Sequence, residues 1–168
     1  NSYYPVSLKK DRLKQLEGRS GFTFHQIDIA DHEALRAIPG ASDASAVVHL
    51  AAQAGVRYSL ENPFAYAQSN LLGHLSVLEL VRRSPTKPRL VYASSSSVYG
   101  ANSKAPFSED DRVDNPVSLY AATKRSDELL SEAYSNLYGL NQIGLRFFTV
   151  YGPWGRPDMA YWSFTRDI

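Results

Sequence analysis

The sequence predicts an α/β fold built on a parallel sheet. Three observations carry that prediction. Short apolar runs alternate with amphipathic stretches of helical length. The run at residues 46–50 (AVVHL) is nearly continuous in apolar character, as in a parallel strand covered on both faces. Strands separated by helices of this length require crossover connections, which parallel sheets use.

The elements follow in order. Residues 7–17 carry leucines at 8, 13 and 16 among charges and stop at Gly18, which predicts an amphipathic helix. Residues 22–27 (FTFHQI) alternate apolar and polar and read as a strand. Asp31 caps a short helix over 32–38. After the strand at 46–50, Pro63 opens a long helix to Arg83, with Leu71, Leu72, Leu75, Leu78 and Val81 at helical spacing. Residues 89–93 form the next strand. Residues 102–115, rich in charge, Pro and Ser, form a surface loop. A second long helix spans 118–138 and ends at Gly139; a further strand spans 142–148. The chain's last residues look helical.

Composition narrows the function. Hydrophobic residues make up 43% and charged residues 21% of 168, enough for one domain with a core. The net charge of +1 argues against nucleic acid as a partner. No apolar run reaches membrane-spanning length. With no cysteine, disulfides and thiol catalysis are excluded within this chain. His25, His32, His49 and His74 lie far apart and form no metal-ligand pattern, so no metal site is expected.

Chemistry is expected at the carboxyl ends of the strands, where parallel sheets bind ligands. Polar, small-residue segments follow three of them: 51–55, the serine run 94–97, and 149–153. On the helix at 118–138, Tyr120 and Lys124 stand four apart and share a face. A tyrosine is a poor base at neutral pH, and a neighbouring ammonium stabilises its phenolate. Such a pair can take a proton from an alcohol while a nicotinamide takes the hydride. The serine run would supply the hydroxyl that orients the alcohol. A bare Tyr-x-x-x-Lys is common on amphipathic helices; its position after a serine-ended strand gives it weight.

The stretches VVHLAAQAGVRYSLENP (47–63), NLLGHLSVLE (70–79), LVYASSSSVYG (90–100), PVSLYAATK (116–124) and LRFFTVYGPWGRPDMA (145–160) resemble the extended short-chain dehydrogenase/reductase family, the NAD-dependent sugar-nucleotide epimerases and dehydratases. YASSSSVYG and FFTVYGPWGRPDMA are most similar to its UDP-glucuronate 4-epimerase branch. The resemblance implies a Rossmann-like, doubly wound parallel sheet. It implies NAD as cofactor, a UDP-sugar as substrate, and epimerisation at carbon 4 through a 4-keto intermediate. Tyr120 and Lys124 match the catalytic pair, and Ser95 and Ser97 the two hydroxyl positions over the substrate, between which the sequence does not choose. Asp28 and Ile29 resemble the adenine-contacting step. Leu50, Ala51 and Ala52 resemble the strand end along the cofactor, Asn70 the asparagine near it, and Phe148 the aromatic by the nicotinamide. Thr149 and Arg156 fall where the branch is expected to hold the sugar carboxylate, with Arg57 a further substrate-side candidate.

The family's opening strand, Gly-x-x-Gly-x-x-Gly turn and second strand have no counterpart in these residues. The resemblance thus implies that residues 1–168 form an incomplete NAD-binding domain, with the start of the substrate region at about 149–168. The strand at 22–27 would then lack its neighbours and the strand at 46–50 would leave an open edge. A uronate decarboxylase or sugar dehydratase shares the first step and is the alternative enzyme. A non-catalytic cofactor-sensing module is the alternative of another class. The resemblance further implies a homodimer through the helices at about 63–83 and 118–138, and a cytoplasmic setting, with an upstream membrane anchor, which some relatives carry, as the alternative.

Overall fold

The computed structural model describes residues 2–168, which form two compact units. Residues up to His25 together with Thr149–Ile168 form one, and Gln26–Phe148 the other.

The larger unit holds the sheet. Its strands are β1 (Ala46–His49), β2 (Arg89–Ser95) and β3 (Gln142–Phe147), all parallel, in the order β1-β2-β3. Ala46 pairs with Arg89, and Leu90 with Gln142, so all three strands run toward the same edge. Before β1 lies a one-turn helix, His32–Arg36, whose Asp31 cap accepts the Ala34 N–H as the sequence predicts. Between β1 and β2 the chain is helical in pieces, Tyr58–Glu61, Pro63–Tyr66 and Gly73–Arg83. Between β2 and β3 one helix runs over Leu119–Tyr138. With the smaller unit's Val6–Lys14 and Ala160–Asp167, the helices number α1 (Val6–Lys14), α2 (His32–Arg36), α3 (Tyr58–Glu61), α4 (Pro63–Tyr66), α5 (Gly73–Arg83), α6 (Leu119–Tyr138) and α7 (Ala160–Asp167).

The core follows from α5, whose apolar stripe lies against the sheet. Val77, Leu78, Leu80 and Val81 bury against Leu90 and Tyr92 of β2, with Leu35 of α2 and Leu140 completing the cluster. Burying such side chains contributes about 1.5–3 kcal/mol each. The end of the Tyr92 ring lies over Gly144 of β3; a Cβ there would meet it at 2.6 Å, so a larger residue would force the buried ring to move. Gly100, at φ +54°, is fixed likewise, because a Cβ would meet the Asn115 carbonyl oxygen at 2.0 Å.

Two sequence expectations are corrected here. Residues 22–27 form no strand. A strand needs a neighbour for its N–H and C=O groups, and the sheet ends at β1; Phe22, Phe24 and Ile27 are correspondingly exposed. The single helix expected over 63–83 is broken by a π-helical stretch, Ala67–Leu72, between α4 and α5. There an i+5 pattern replaces i+4, a distortion common at functional sites, and it holds the buried Asn70. The open outer edge of β1, beside the exposed Val48 and Leu50, matches expectation.

In the smaller unit α1 buries no residue completely. Tyr3 donates to Asp158 Oδ2 at 2.9 Å, and Arg12 donates to the Trp154 carbonyl and to Tyr4 Oη. No helix among the described residues is long and apolar enough to cross a membrane.

Candidate active site

The site is built where β2 meets α6. Lys124 is 3% exposed, and its ammonium donates to the Ala93 carbonyl of β2 at 3.0 Å. This bond pins the first turns of α6 to the strand that ends in the serine run. A second bond, 3.1 Å long, runs to Asp127 Oδ2. Tyr120 lies one turn earlier, half-buried, its ring edge-on to the buried ring of Tyr66 at 6.2 Å. Ser118 caps α6 by accepting the Ala121 N–H, so Tyr120 sits in the positively polarised first turn.

The four serines divide their labour. Ser94 donates to Glu128 Oε1 at 2.6 Å and is structural. Ser95, 8% exposed, accepts the Ser97 N–H and donates to Ser97 Oγ at 3.1 Å. Ser97 is half-buried on the short 3-10 turn Ser96–Tyr99. The two hydroxyls that the sequence could not choose between therefore touch each other and form one donor set.

Asn70, 1% exposed, spends its side chain on protein. Its oxygen accepts the Gln53 N–H at 2.8 Å, and its amide donates to the Gln53 carbonyl and to Thr123 Oγ1. Thr123 in turn donates to the Tyr120 carbonyl. Asn70 thus clamps the segment leaving β1 to the first turns of α6. Tyr66 donates to the Ala54 carbonyl at 2.9 Å and also to that of Gly55.

The remaining candidates are placed as follows. Leu50 and Ala51 are exposed and Ala52 half-buried at the end of β1, a surface of short side chains open to close approach. Asp28 is exposed and accepts the Ala30 N–H in a turn; the Ile29 side chain packs over Gly73. Arg57 is exposed ahead of α3. The 61% exposed Phe148 stands near the stacked pair Tyr99–Phe107, its ring 6.3 Å from Phe107. In the smaller unit Thr149 is exposed, and Arg156 makes a bidentate bond to Asp158 at 3.1 and 3.0 Å. The residues that could hold part of a cofactor are the short side chains at the end of β1 and the polar groups at the start of α6, where the Lys124 ammonium is bonded to the Ala93 carbonyl and to Asp127. A glycine-rich pyrophosphate turn is not in the chain.

Sequence reasoning missed the residues behind the site. Glu128 accepts from Ser94, from Arg125 and, bidentately, from Arg146 of β3 at 2.9 and 3.0 Å. Burial would raise the Glu128 carboxyl, but the bonds from Arg146, Ser94 and Arg125 outweigh it and hold it below the usual range. The Arg146 guanidinium also lies 5.1 Å from the Tyr99 ring centre. His49 and His74 stack at 5.3 Å, and His74 meets Tyr92 edge-on at 5.0 Å. His74 Nε2 lies 2.8 Å from Ser131 Oγ. Burial, with the Lys124 charge adding to it, pushes His49 down to about 4 and His74 to about 3. Helical spacing of Lys124, Asp127, Glu128 and Ser131 was the available signal, but charges at that spacing also describe any solvated helix face.

Because Glu128 ties α6 to both β2 and β3, Glu128→Ala is expected to destabilise the fold by about 3 kcal/mol, the scale for breaking a part-buried pair and leaving Arg146 unmatched. Urea denaturation measures it. A loss under about 1 kcal/mol would mean that the pair behaves as an exposed one.

The chain is similar to proteins of known name and structure. The chain is 54% identical over all 168 residues to UDP-glucuronate 4-epimerase 2 of Arabidopsis thaliana, of which it covers 38%. It superposes with a TM-score of 0.82 and 36% identity on UDP-glucuronic acid 4-epimerase from Bacillus cereus, solved in complex with UDP-glucuronic acid and NAD; the match covers 94% of this chain and 49% of that one. A dTDP-glucose 4,6-dehydratase from Streptomyces venezuelae, solved with NAD bound, matches at 26% identity with a TM-score of 0.86, covering 94% and 48%. The chain spans between 38% and 51% of the length of the curated relatives it matches. The model of the NAD dependent epimerase/dehydratase family matches residues 4–167, nearly the whole sequence, including the Tyr120–Lys124 turn and the serine-ended strand it is pinned to, and it is to this family that the chain belongs.

Proposed function

We propose that this chain carries the catalytic centre of an NAD-dependent UDP-sugar 4-epimerase that interconverts UDP-glucuronate and UDP-galacturonate. The observation that carries the proposal is the 3.0 Å bond from Lys124 to the Ala93 carbonyl. It couples the Tyr120 turn to the strand end bearing Ser95 and Ser97. In this reading Tyr120 takes the proton of the sugar 4-hydroxyl onto its phenolate oxygen. Lys124 stabilises that phenolate, and the Ser95–Ser97 pair orients the hydroxyl. A bound NAD supplies reversible acceptance of the C4 hydride. Once the 4-keto sugar has rotated, Tyr120 would return that proton to the carbon-4 oxygen, with Lys124 and the Ser95–Ser97 pair holding the oxygen and phenol in place.

The uronate preference rests on Thr149 and Arg156. Arg156 would exchange Asp158 for the sugar carboxylate, which its planar fork fits equally well. Leu50, Ala51 and Ala52 would lie along the cofactor and Asp28 and Ile29 near its adenine. Phe148 would stand by the nicotinamide, and Arg57 on the substrate side. A homodimer is part of the proposal, supported by the exposed Leu60, Phe64 and Leu72 before α5 and Leu129 and Leu137 on α6. So is a cytoplasmic setting; no helix among the described residues is long and apolar enough to cross a membrane.

The test is incubation of the intact protein carrying this chain with UDP-glucuronate and NAD. The expected product is UDP-galacturonate, with no net change in NAD. Release of carbon dioxide would identify a decarboxylase instead. Cofactor binding without turnover of any nucleotide sugar would identify a sensing module.

A further inference from the structure

Asp127 lies on the inner side of the proposed catalytic turn, 0% exposed, with Oδ2 at 3.1 Å from the Lys124 ammonium. Its other oxygen, Oδ1, is buried and has no hydrogen-bond partner among the described residues. An ammonium as buried as Lys124 needs a counter-charge. Its two identified bonds go to a neutral carbonyl and to Asp127, so among the described residues this carboxylate is the one anion it bonds. A carboxylate there also works against the phenolate that Lys124 is to stabilise.

We propose that Asp127 is a positioning residue that sets the working pH of the Tyr120–Lys124 pair. It keeps Lys124 protonated and aimed between β2 and α6, and it tempers the field that Lys124 exerts on Tyr120. The inference rests on the reading of Tyr120 as the base. The neighbourhood supports it. Around Asp127 stand Lys124, Glu128 and Ser131 on α6, His74 on α5 with His49 of β1 stacked on it, and Tyr92 on β2. Glu128 is neutralised by Arg146 and Arg125, and both histidines are neutral above about pH 5. Burial pushes Asp127 up to about 6 against the pull of Lys124, so it is ionised at and above neutral pH.

Removing the negative charge has a definite sign. Without it the phenolate of Tyr120 forms more readily, and the buried Lys124 loses its proton more readily. Both limbs of the bell-shaped kcat/KM profile should therefore move to lower pH, by about one unit. The experiment compares wild type, Asp127→Asn and Asp127→Glu in the intact protein, with folding checked by circular dichroism. The expected result is a bell displaced to lower pH in Asp127→Asn and unmoved in Asp127→Glu. A folded Asp127→Asn with an unmoved bell overturns the proposal, because mere packing would lower activity or melting temperature without displacing both limbs. A stability measurement covers the case of poor folding or no activity. Asp127→Asn should lower the melting temperature in wild type but raise it in a Lys124→Met background, where it removes an unmatched buried charge. The same sign in both backgrounds would also overturn the proposal. Loss of the Tyr120 reading shows separately, as a Tyr120→Phe variant that still turns over.

Discussion

Replacing Tyr120 by phenylalanine is expected to lower turnover by about 10²–10⁴-fold, the usual contribution of a positioned acid–base group. Cofactor and substrate affinity should stay near wild type. The phenol oxygen is the atom on which proton transfer is proposed to depend. The fold uses the ring, which stands edge-on to Tyr66, and phenylalanine keeps that contact. Thr123, Asn70 and Ser118 hold the helix turn through groups that the substitution leaves alone. Melting temperature should thus be nearly unchanged while kcat collapses. The histidines offer no substitute base, since His49 is 7% and His74 1% exposed. Initial-rate kinetics together with a binding isotherm for NAD decide it. Turnover above a tenth of wild type would remove Tyr120 from the role of base.

The second large effect is on stability in mild acid. His49 and His74 are held neutral by burial, at about 4 and 3, against 6.5 in an unfolded chain. Between those values the unfolded chain binds more protons than the fold, so stability is complete above about pH 6.5 and falls as pH drops below it. Each histidine costs about 1.4 kcal/mol per pH unit, so the pair removes on the order of 4 kcal/mol at pH 5. Asp127 acts in the opposite direction. Burial raises it to about 6, so the fold takes up its proton first and regains on the order of 1 kcal/mol at pH 5. The net expectation is a loss of about 3 kcal/mol between pH 7 and pH 5, read as a fall in the urea midpoint. His74→Gln should flatten that slope, and Asp127→Asn should steepen it. A midpoint that stays constant from pH 7 to pH 5 would show that the two rings are not held as the structure has them.

The three parallel strands, the helix over 118–138 and the spacing of Tyr120, Lys124 and the serine run were legible in the sequence. They depend on short-range regularities: period and continuity of apolar residues, a capping Ser118, a stopping Gly139, two side chains four apart on a helix. Ser95 and Ser97 could be singled out but not ranked. Their mutual contact depends on the 3-10 turn that follows β2, which four serines in a row do not announce.

What only the tertiary structure decided depends on partners distant in the chain. Residues 22–27 have the alternation of a strand and are not one, because strand formation requires a neighbour that local pattern cannot supply. Asn70 is a clamp because Gln53 and Thr123, 17 and 53 residues away, converge on it. Arg146 and Glu128 read separately as a strand arginine and a helix glutamate, yet they meet as the bracket that holds β2, β3 and α6. Lys124 could be paired with Tyr120 from spacing alone. That its ammonium is also buried between the Ala93 carbonyl and Asp127 follows from the packing of α6 on β2, which removes water from both charges and makes their pairing matter.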